Sequence, residues 1–128
     1  MKLMRYEKVG AVPVDVDDAN GCRIRCLIGQ DDGAPSFTMR QFEIAAGGNT
    51  PKHSHAHEHE IFVLGGEGIV MDGNVERPIK TDYFVYVAPN EVHQFINNGS
   101  SPLKFLCLIP HQLREMRGTC VAACGCDG

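Results

Sequence analysis

The chain has no block of lysine and arginine residues and no apolar run long enough to cross a membrane. Its 128 residues carry a formal net charge of -4 that is dispersed along the sequence, and the sequence pI is about 5.8. A membrane span needs about 18 or more apolar residues in a row, and nucleic-acid binding is typical of clustered basic side chains. We therefore expect neither a membrane nor a nucleic acid as a partner.

The first eight residues, MKLMRYEK, reach charged side chains too early for a secretory signal peptide. We therefore expect a cytoplasmic location. A chain of this length buries enough surface to form one domain with one core, without disulfide bonds to hold it together.

Three of the six cysteines, Cys120, Cys124 and Cys126, lie close together near the C-terminus. Their C-x3-C-x-C spacing does not match the paired C-x2-C of structural zinc sites. We interpret this tail as a flexible or packing extension, with a metal site or a disulfide as the alternative.

From residue 22 onward, short apolar runs alternate with segments that favour turns. The predicted strands are residues 23–28, 37–45, 61–64, 68–71, 83–87, 94–96 and 103–109. Glycine, asparagine, aspartate and proline separate them at 31–33, 47–49, 65–66, 72–74 and 97–102. This spacing is typical of an all-β domain and favours a sandwich or closed barrel around a small cavity.

The pattern divides the chain into three parts. Residues 1–20 are an N-terminal arm or strand, residues 21–110 form the β-barrel, and residues 111–128 are a C-terminal extension. Within that extension, residues 112–117 have a short helical pattern.

The strongest functional signal is a segment with four histidines and two glutamates between residues 53 and 60. His53 and His55 are two residues apart, so on an extended strand both imidazoles point the same way and can bind one ion. The alternative is a solvated histidine-rich surface run, but the segment leads directly into the apolar residues 61–64. His93 is a distant candidate ligand in a turn between two apolar strands, or else a histidine satisfied within that turn.

Two stretches of the sequence resemble the paired motifs of the cupin superfamily. Residues 47–66 resemble the first motif, G-x5-H-x-H-x3,4-E-x6-G, and residues 82–97 resemble the second, G-x5-P-x-G-x2-H-x3-N. The resemblance implies a jelly-roll β-barrel with a divalent metal inside. In the second motif Asp82, Ala88 and Asn90 replace the usual glycine, proline and glycine. Because asparagine tolerates left-handed backbone, we expect the turn to survive.

The first motif usually supplies an acidic ligand, but here His59 occupies the x3 spacing and Glu60 fits only the looser x4 spacing. The chain is similar to small bacterial single-domain cupins of the conserved-barrel type, in which four histidines hold the metal. This similarity implies the ligands His53, His55, His59 and His93. His57 would then lie on the loop without binding the metal.

Strand alternation alone does not decide between His59 and Glu60. An inward His59 places Ile61 inside the barrel, whereas an inward Glu60 places Phe62 there, and both faces of this run are apolar. We predict His59. The metal would be one divalent transition ion per chain, Mn, Fe, Ni, Zn or Cu, because neutral imidazoles accept most of these ions.

Alternation also predicts the lining of the cavity. Lys104 should point outward, so Phe105, Cys107 and Ile109 should point inward. By the same rule Phe95 shares a strand face with His93.

Arg40 shares a strand face with Phe42 and Ile44. This places its guanidinium at or near the interior, where it could anchor a carboxylate or an oxygen species on the metal. The alternative, which we favour, is a position at the rim with an acidic partner.

These features favour a metal-dependent oxidoreductase of dioxygenase type that acts on a small, largely apolar substrate. Four protein ligands leave two adjacent positions on a six-coordinate ion, enough for dioxygen and a substrate oxygen. One alternative is a metal-stabilised binding or sensor module without catalysis. Another is a small isomerase or lyase, whose acid or base would come from the remaining residues His57, His111, Tyr6, Tyr83, Tyr86 or the glutamates. The family resemblance also suggests a homodimer with crossing N-terminal strands.

Overall fold

A computed structural model describes residues 1–111 of the chain. The predicted helix at 112–117 and the cysteine tail lie outside the described residues. Within residues 1–111 the fold is built from nine β-strands: β1 (Val12–Pro13), β2 (Asn20–Ile28), β3 (Phe37–Asn49), β4 (His59–Gly65), β5 (Glu67–Asp72), β6 (Val75–Lys80), β7 (Phe84–Val87), β8 (His93–Ile96) and β9 (Leu103–Pro110). In that range no helix has the length and apolar content of a membrane span.

The strands form one curled antiparallel sheet in the order β6-β5-β8-β3-β9-β4-β7, and β2 pairs with β3 and with β1. Strands that are distant in sequence become neighbours: β3 runs beside β9 from Phe37 to Ile44, and β4 also pairs with β9. The predicted all-β jelly-roll barrel is confirmed. The path ends at β6 and β7, which leaves a seam between those two strands.

Each strand predicted from the apolar runs overlaps a strand of the structure, but β6 was not predicted. Its sequence, VERPIK, contains Pro78 and only one buried side chain, Ile79. Proline lacks the N–H donor of a central strand and is tolerated at a sheet edge. β6 pairs only with β5 in the described sheet, so this edge position explains why the strand has no apolar alternation.

The core follows the predicted alternation on β9. Phe105, Cys107 and Ile109 are buried, and the Phe105 ring stacks on Phe42 at 5.0 Å and lies 4.8 Å from Phe95 between centroids. These aromatic contacts join β3, β8 and β9 behind the histidine segment.

The turns of the second motif keep their geometry without glycine. Asp82 and Asn90 have φ values of 75° and 67°, in the left-handed region that asparagine and aspartate adopt more readily than most residues. The Asn90 N–H donates a hydrogen bond to the carbonyl of His55. The expectation that this turn survives is confirmed, and the turn ties the two motifs together.

The N-terminal residues pack on the outer side of β2. The Arg25 Nε donates to the Val9 carbonyl at 3.0 Å, and its guanidinium lies over the Tyr6 ring at 5.2 Å. Gln41, which accepts a hydrogen bond from Arg25 Nη1, is buried beneath this layer. The arm therefore covers the outer face of the sheet at β2.

Candidate metal centre

A backbone bridge brings the two histidine motifs together. The His53 N–H donates to the His93 carbonyl at 3.1 Å, and the His93 N–H donates to the His53 carbonyl at 2.9 Å. Just before this bridge, the Thr50 hydroxyl accepts the Phe95 N–H at 2.8 Å. Residues 50–53 therefore run antiparallel to β8, which places His53 and His93 side by side although 40 positions separate them in the sequence.

Three imidazoles converge at this bridge. One ring nitrogen each of His53, His55 and His93 lies within 4.8 Å of the others. The ring centroids of His53 are 4.1 Å from His55 and 4.7 Å from His93. The structure thus brings together three of the four predicted ligands in a geometry suited to one ion.

His59 lies beside this group of three but is not part of it. Its ring centroid is 5.1 Å from that of His55 and 5.1 Å from that of His93. On β4 it shares the buried face with Ile61, while Glu60 points to the opposite, partly exposed face. His59 is therefore inside the barrel, next to the three converging imidazoles, and Glu60 is on the other side of the strand.

His57 was expected to stay apart from the site, yet its ring packs against it. It stacks on His55 with a centroid distance of 4.9 Å and an interplanar angle of 3°, and lies 5.1 Å from His59. The sequence did contain a signal for this position, because His55, His57 and His59 follow one another at intervals of two residues. His57 belongs to the histidine cluster as a packing neighbour.

The hydrogen bonds of two histidines fix which ring nitrogen faces the cluster. His53 Nδ1 is 2.6 Å from the Pro51 carbonyl and His93 Nδ1 is 2.9 Å from the Glu91 carbonyl. A carbonyl oxygen only accepts, so Nδ1 carries the proton in both rings and Nε2 keeps its lone pair. Such an arrangement is typical of histidines that bind a metal through Nε2.

Several buried nitrogens of the cluster have no hydrogen-bond partner within residues 1–111. They include Nδ1 and Nε2 of His55 and Nε2 of His59. Leaving a buried polar atom unsatisfied costs about 1–3 kcal/mol, so native structures rarely do so without a ligand, water or ion. A divalent metal would satisfy the lone pair of each of these rings, and the donor set therefore fits the metal that the family resemblance implies.

Burial keeps the clustered imidazoles neutral. It is the main cause that lowers the pKa of His53 to about 4 and of His55 to about 3, and neighbouring imidazoles add to the effect. Burial is also the main cause that lowers the pKa of His59, and the positive charge of Arg40 lowers it further. Burial likewise lowers the pKa of His93. All four rings are therefore unprotonated near neutral pH, the form that binds metals.

The metal-free protein should lose stability as the pH falls below about 6.5. Unfolded histidines take up protons there, whereas His53 and His55 in the folded state do so only near their lowered pKa values of about 4 and about 3. The unfolded state then binds more protons, so the free energy of unfolding decreases between pH 6.5 and 4. Urea titrations at pH 7.5, 6.0 and 5.0 measure this decrease.

In those titrations a His55→Asn variant should lose less stability on acidification than the parent protein. His111→Asn is the matched control, because His111 bonds to Thr38 Oγ1 at 2.8 Å and is not among the clustered imidazoles. Stability that stays constant from pH 7.5 to 5.0 would show that the cluster is not buried in its neutral form.

Three of the predicted lining residues, Phe95, Phe105 and Cys107, line a central cavity against the imidazoles of His59 and His93. Its free volume is about 20 Å³, enough for an ion or one water molecule and too small for an organic substrate. Ile109, the fourth predicted lining residue of β8 and β9, is buried in the core but does not line this cavity.

Arg40 does not sit at the rim with an acidic partner, so the interpretation favoured from the sequence is wrong. Its side chain has no exposed surface, and Nη2 donates to Cys107 Sγ at 3.1 Å. The guanidinium also lies over the Phe42 ring at 5.1 Å. Alternation of β3 carries position 40 to the same inner face as the core, and this pattern outweighs the preference of a charge for solvent.

A larger cavity of about 310 Å³ lies at the seam between β6 and β7 and reaches His93. Sequence reasoning did not find it, because β6 was not predicted. Its lining combines apolar and polar side chains: Val70, Met71, Pro78, Ile79, Phe84, Val85, Val87 and Val92 with Asp72, Arg77, Tyr83, Tyr86, Glu91 and His93. His93 lines both cavities, so a space of small-molecule size lies next to the histidine cluster.

Comparison with known proteins agrees with this geometry. Residues 40–109 match the model of the family described as Cupin domain. Among solved structures, the polyketide cyclase RemF from Streptomyces resistomycificus is similar with a TM-score of 0.82 and 30% identity. That match covers 88% of this chain and 80% of the cyclase.

Two curated proteins are similar over a shorter range. A 1-methylthio-D-xylulose 5-phosphate methylsulfurylase from Rhodospirillum rubrum is 30% identical over 71 residues, which are 56% of this chain and 46% of that protein. An oxalate-binding protein from Thermotoga maritima is 31% identical over 70 residues, 54% of this chain and 58% of that protein. The chain spans about half the length of these curated relatives.

Proposed function

Because this chain belongs to the cupin domain family, we propose that it is a metal-dependent oxidoreductase of dioxygenase type that acts on a small, largely apolar substrate. One divalent transition ion per chain would be held by His53, His55, His59 and His93. The observation that carries the proposal is the convergence of neutral imidazoles beside a cavity of small-molecule size whose walls are partly apolar.

The ligand set has consequences for the chemistry. Four neutral imidazoles leave a divalent ion with its full positive charge, whereas a carboxylate would reduce it. When bound, a redox-active Mn or Fe ion would act as a Lewis acid and exchange electrons. The protein's own part is to hold the imidazoles in place and to exclude water, for which Phe95 and Phe105 are positioned.

The cavities limit the size and polarity of the substrate. The central space is too small for an organic molecule, so a substrate would occupy the seam cavity and approach the cluster past His93. A volume of about 310 Å³ is near the lower end for small-molecule pockets. Val70, Ile79 and Val85 supply apolar walls, and Tyr83 and Tyr86 in the lining offer hydroxyl groups for orientation.

Turnover assays on the reconstituted protein test this function. The protein is loaded with Mn or Fe and offered alkenes and catechols, while oxygen uptake and products are measured. We expect oxygen consumption that requires the metal and is lost in His93→Ala. If the protein binds one metal per chain but consumes no oxygen with any of these substrates, the dioxygenase proposal fails.

A second candidate is a cyclase or isomerase, and two observations favour it. Tyr83, Tyr86 and Glu91 line the seam cavity together with His93 and could act as acid or base. The similar RemF structure is a polyketide cyclase. This candidate predicts a product formed without oxygen uptake, which the same assay distinguishes by running it under nitrogen.

A third candidate is a binding or sensor module without catalysis, favoured by the similar oxalate-binding protein. It predicts that small oxygen-bearing ligands change the spectrum of the bound metal while no product appears under air or nitrogen.

We propose a homodimer formed through the outer face of β4 and β7. Phe62 and Phe84 pair across these strands, and Phe84 is 80% exposed while Phe62 and Leu64 are each 43% exposed. The N-terminal arm covers the outer side of β2 but leaves these apolar side chains in solvent. Contiguous exposed apolar surface of this kind is typical of protein interfaces.

Phe84→Glu should convert the dimer to a monomer, because it places charges at the centre of an apolar contact. Light scattering coupled to gel filtration measures the mass, and Val75→Glu on exposed β6 is the control that should leave the dimer intact. A parent protein that runs as a monomer, or a Phe84→Glu variant that stays dimeric, contradicts the proposed interface.

A further inference from the structure

The sulfur of Cys107 lies between a buried guanidinium and a buried imidazole. Arg40 Nη2 donates to Sγ at 3.1 Å, and His59 Nδ1 is 3.2 Å from the same atom. The three side chains are 0%, 2% and 4% exposed for Arg40, Cys107 and His59. Two strand pairings bring them together, since Cys107 on β9 is opposite Arg40 on β3 and opposite Ile61 on β4.

This contact at His59 matches the contacts that orient two other imidazoles of the cluster. His53 and His93 each direct Nδ1 to a backbone carbonyl, of Pro51 and Glu91 respectively. At His59 the sulfur of Cys107 takes the place of the carbonyl. In each case Nδ1 is engaged away from the cluster, and Nε2 is the nitrogen left for an ion.

Arg40 makes the sulfur an acceptor in one of its two hydrogen bonds. A guanidinium has donors only, so the Arg40 N–H must treat Sγ as an acceptor. Within the described residues, Nε and Nη1 of Arg40 have no hydrogen-bond partner, while Nη2 contacts the sulfur and the guanidinium lies over the Phe42 ring. A buried guanidinium is costly unless it is paired, so the sulfur keeps a lone pair toward Arg40. Its second hydrogen bond either accepts the Nδ1 proton of His59 or donates S–H to Nδ1, and the tautomer of His59 distinguishes the two.

We propose that Cys107 is a positioning residue for His59. Its sulfur, oriented by Arg40, accepts the Nδ1 proton of His59 and so keeps the Nε2 lone pair of that ring directed at the ion. This inference rests on the proposed metal centre, and it assigns the tautomer of the one predicted ligand that lies beside the group of three. Removal of such a contact typically weakens metal binding about 10–100-fold.

The test compares Cys107→Val, which removes the acceptor at similar volume, with Cys107→Ser, which keeps one. Cys22→Val is the matched control, because Cys22 is buried on β2 and does not line the central cavity. The first readout is the ¹⁵N chemical shifts of His59 in the metal-free protein, which report the protonated nitrogen. The second readout is the affinity for Co²⁺, measured by competition with a chromophoric chelator.

We expect His59 to carry its proton on Nδ1 in the parent protein and to lose this preference in Cys107→Val. Co²⁺ affinity should fall about 10–100-fold in that variant, return toward the parent value in Cys107→Ser and stay unchanged in Cys22→Val. A proton on Nε2 in the parent, or Co²⁺ affinity unaffected by Cys107→Val, overturns the positioning role. A parent protein that binds no Co²⁺ refutes the metal centre itself.

Discussion

A His93→Ala variant is expected to bind its metal at least about 100-fold more weakly than the parent protein, because loss of a ligand should exceed the loss of an outer contact. His93 is the ligand supplied by the second motif, and its backbone bridge to His53 remains available to alanine. The fold should therefore persist while the site loses one of its imidazoles. Elemental analysis and titration with Zn²⁺ or Mn²⁺ measure the loss.

His111→Ala is the control for this experiment, because it removes a histidine outside the cluster and should leave metal content unchanged. Metal should also raise the thermal midpoint of the parent and of the control but not of His93→Ala, since only a ligand bound to the folded state stabilises it. One bound metal per chain of parent-like affinity in His93→Ala would mean that the ion binds elsewhere.

The second large effect is expected at His59, because the spacing of the first motif allowed either His59 or Glu60 as the ligand. His59→Ala should sharply reduce metal occupancy, whereas Glu60→Ala should change it little. The physical reason is the parity of β4, which buries His59 among the imidazoles and directs Glu60 to the opposite face. There Glu60 lies beside Glu58, and burial together with this neighbour raises its pKa to about 7.

Both variants are measured by the metal-to-protein ratio after purification and after dialysis against a weak chelator. Glu60→Gln provides a second comparison, because it keeps the shape of the side chain and removes the charge. If Glu60→Ala loses the metal and His59→Ala retains it, the fourth ligand is a carboxylate and the all-imidazole site is wrong.

The barrel was predictable because most strands bury only one face. On β9 the alternation of Lys104 with Phe105 and Cys107 predicted the inner face, and the structure confirms it. β4 was different, because Phe62 and Leu64 on its outer face are as apolar as the residues inside. The apolar character of both faces left the inward residue undecided until the pairing of β4 with β9 and β7 was known.

Arg40 and the seam cavity show what pattern reasoning did not find. A charged residue is rarely fully buried, so the rim was the natural position for Arg40, although alternation along β3 also pointed inward. The contacts with Cys107 Sγ and the Phe42 ring, which accompany its buried position, were not visible in the sequence. The seam cavity depends on β6, an edge strand with proline and little apolar alternation. The partner of the Arg40 guanidinium and the seam cavity both depend on contacts between distant strands, which short-range spacing does not encode.

Anomalous diffraction from crystals of the metal-loaded protein tests the central claim most directly. The account predicts one strong peak per chain, about 2.0–2.2 Å from the Nε2 atoms of His53, His55, His59 and His93. A peak bound by Glu60 or by surface residues would contradict it. So would a map in which the imidazole of His93 lies far from the other three with only solvent between them.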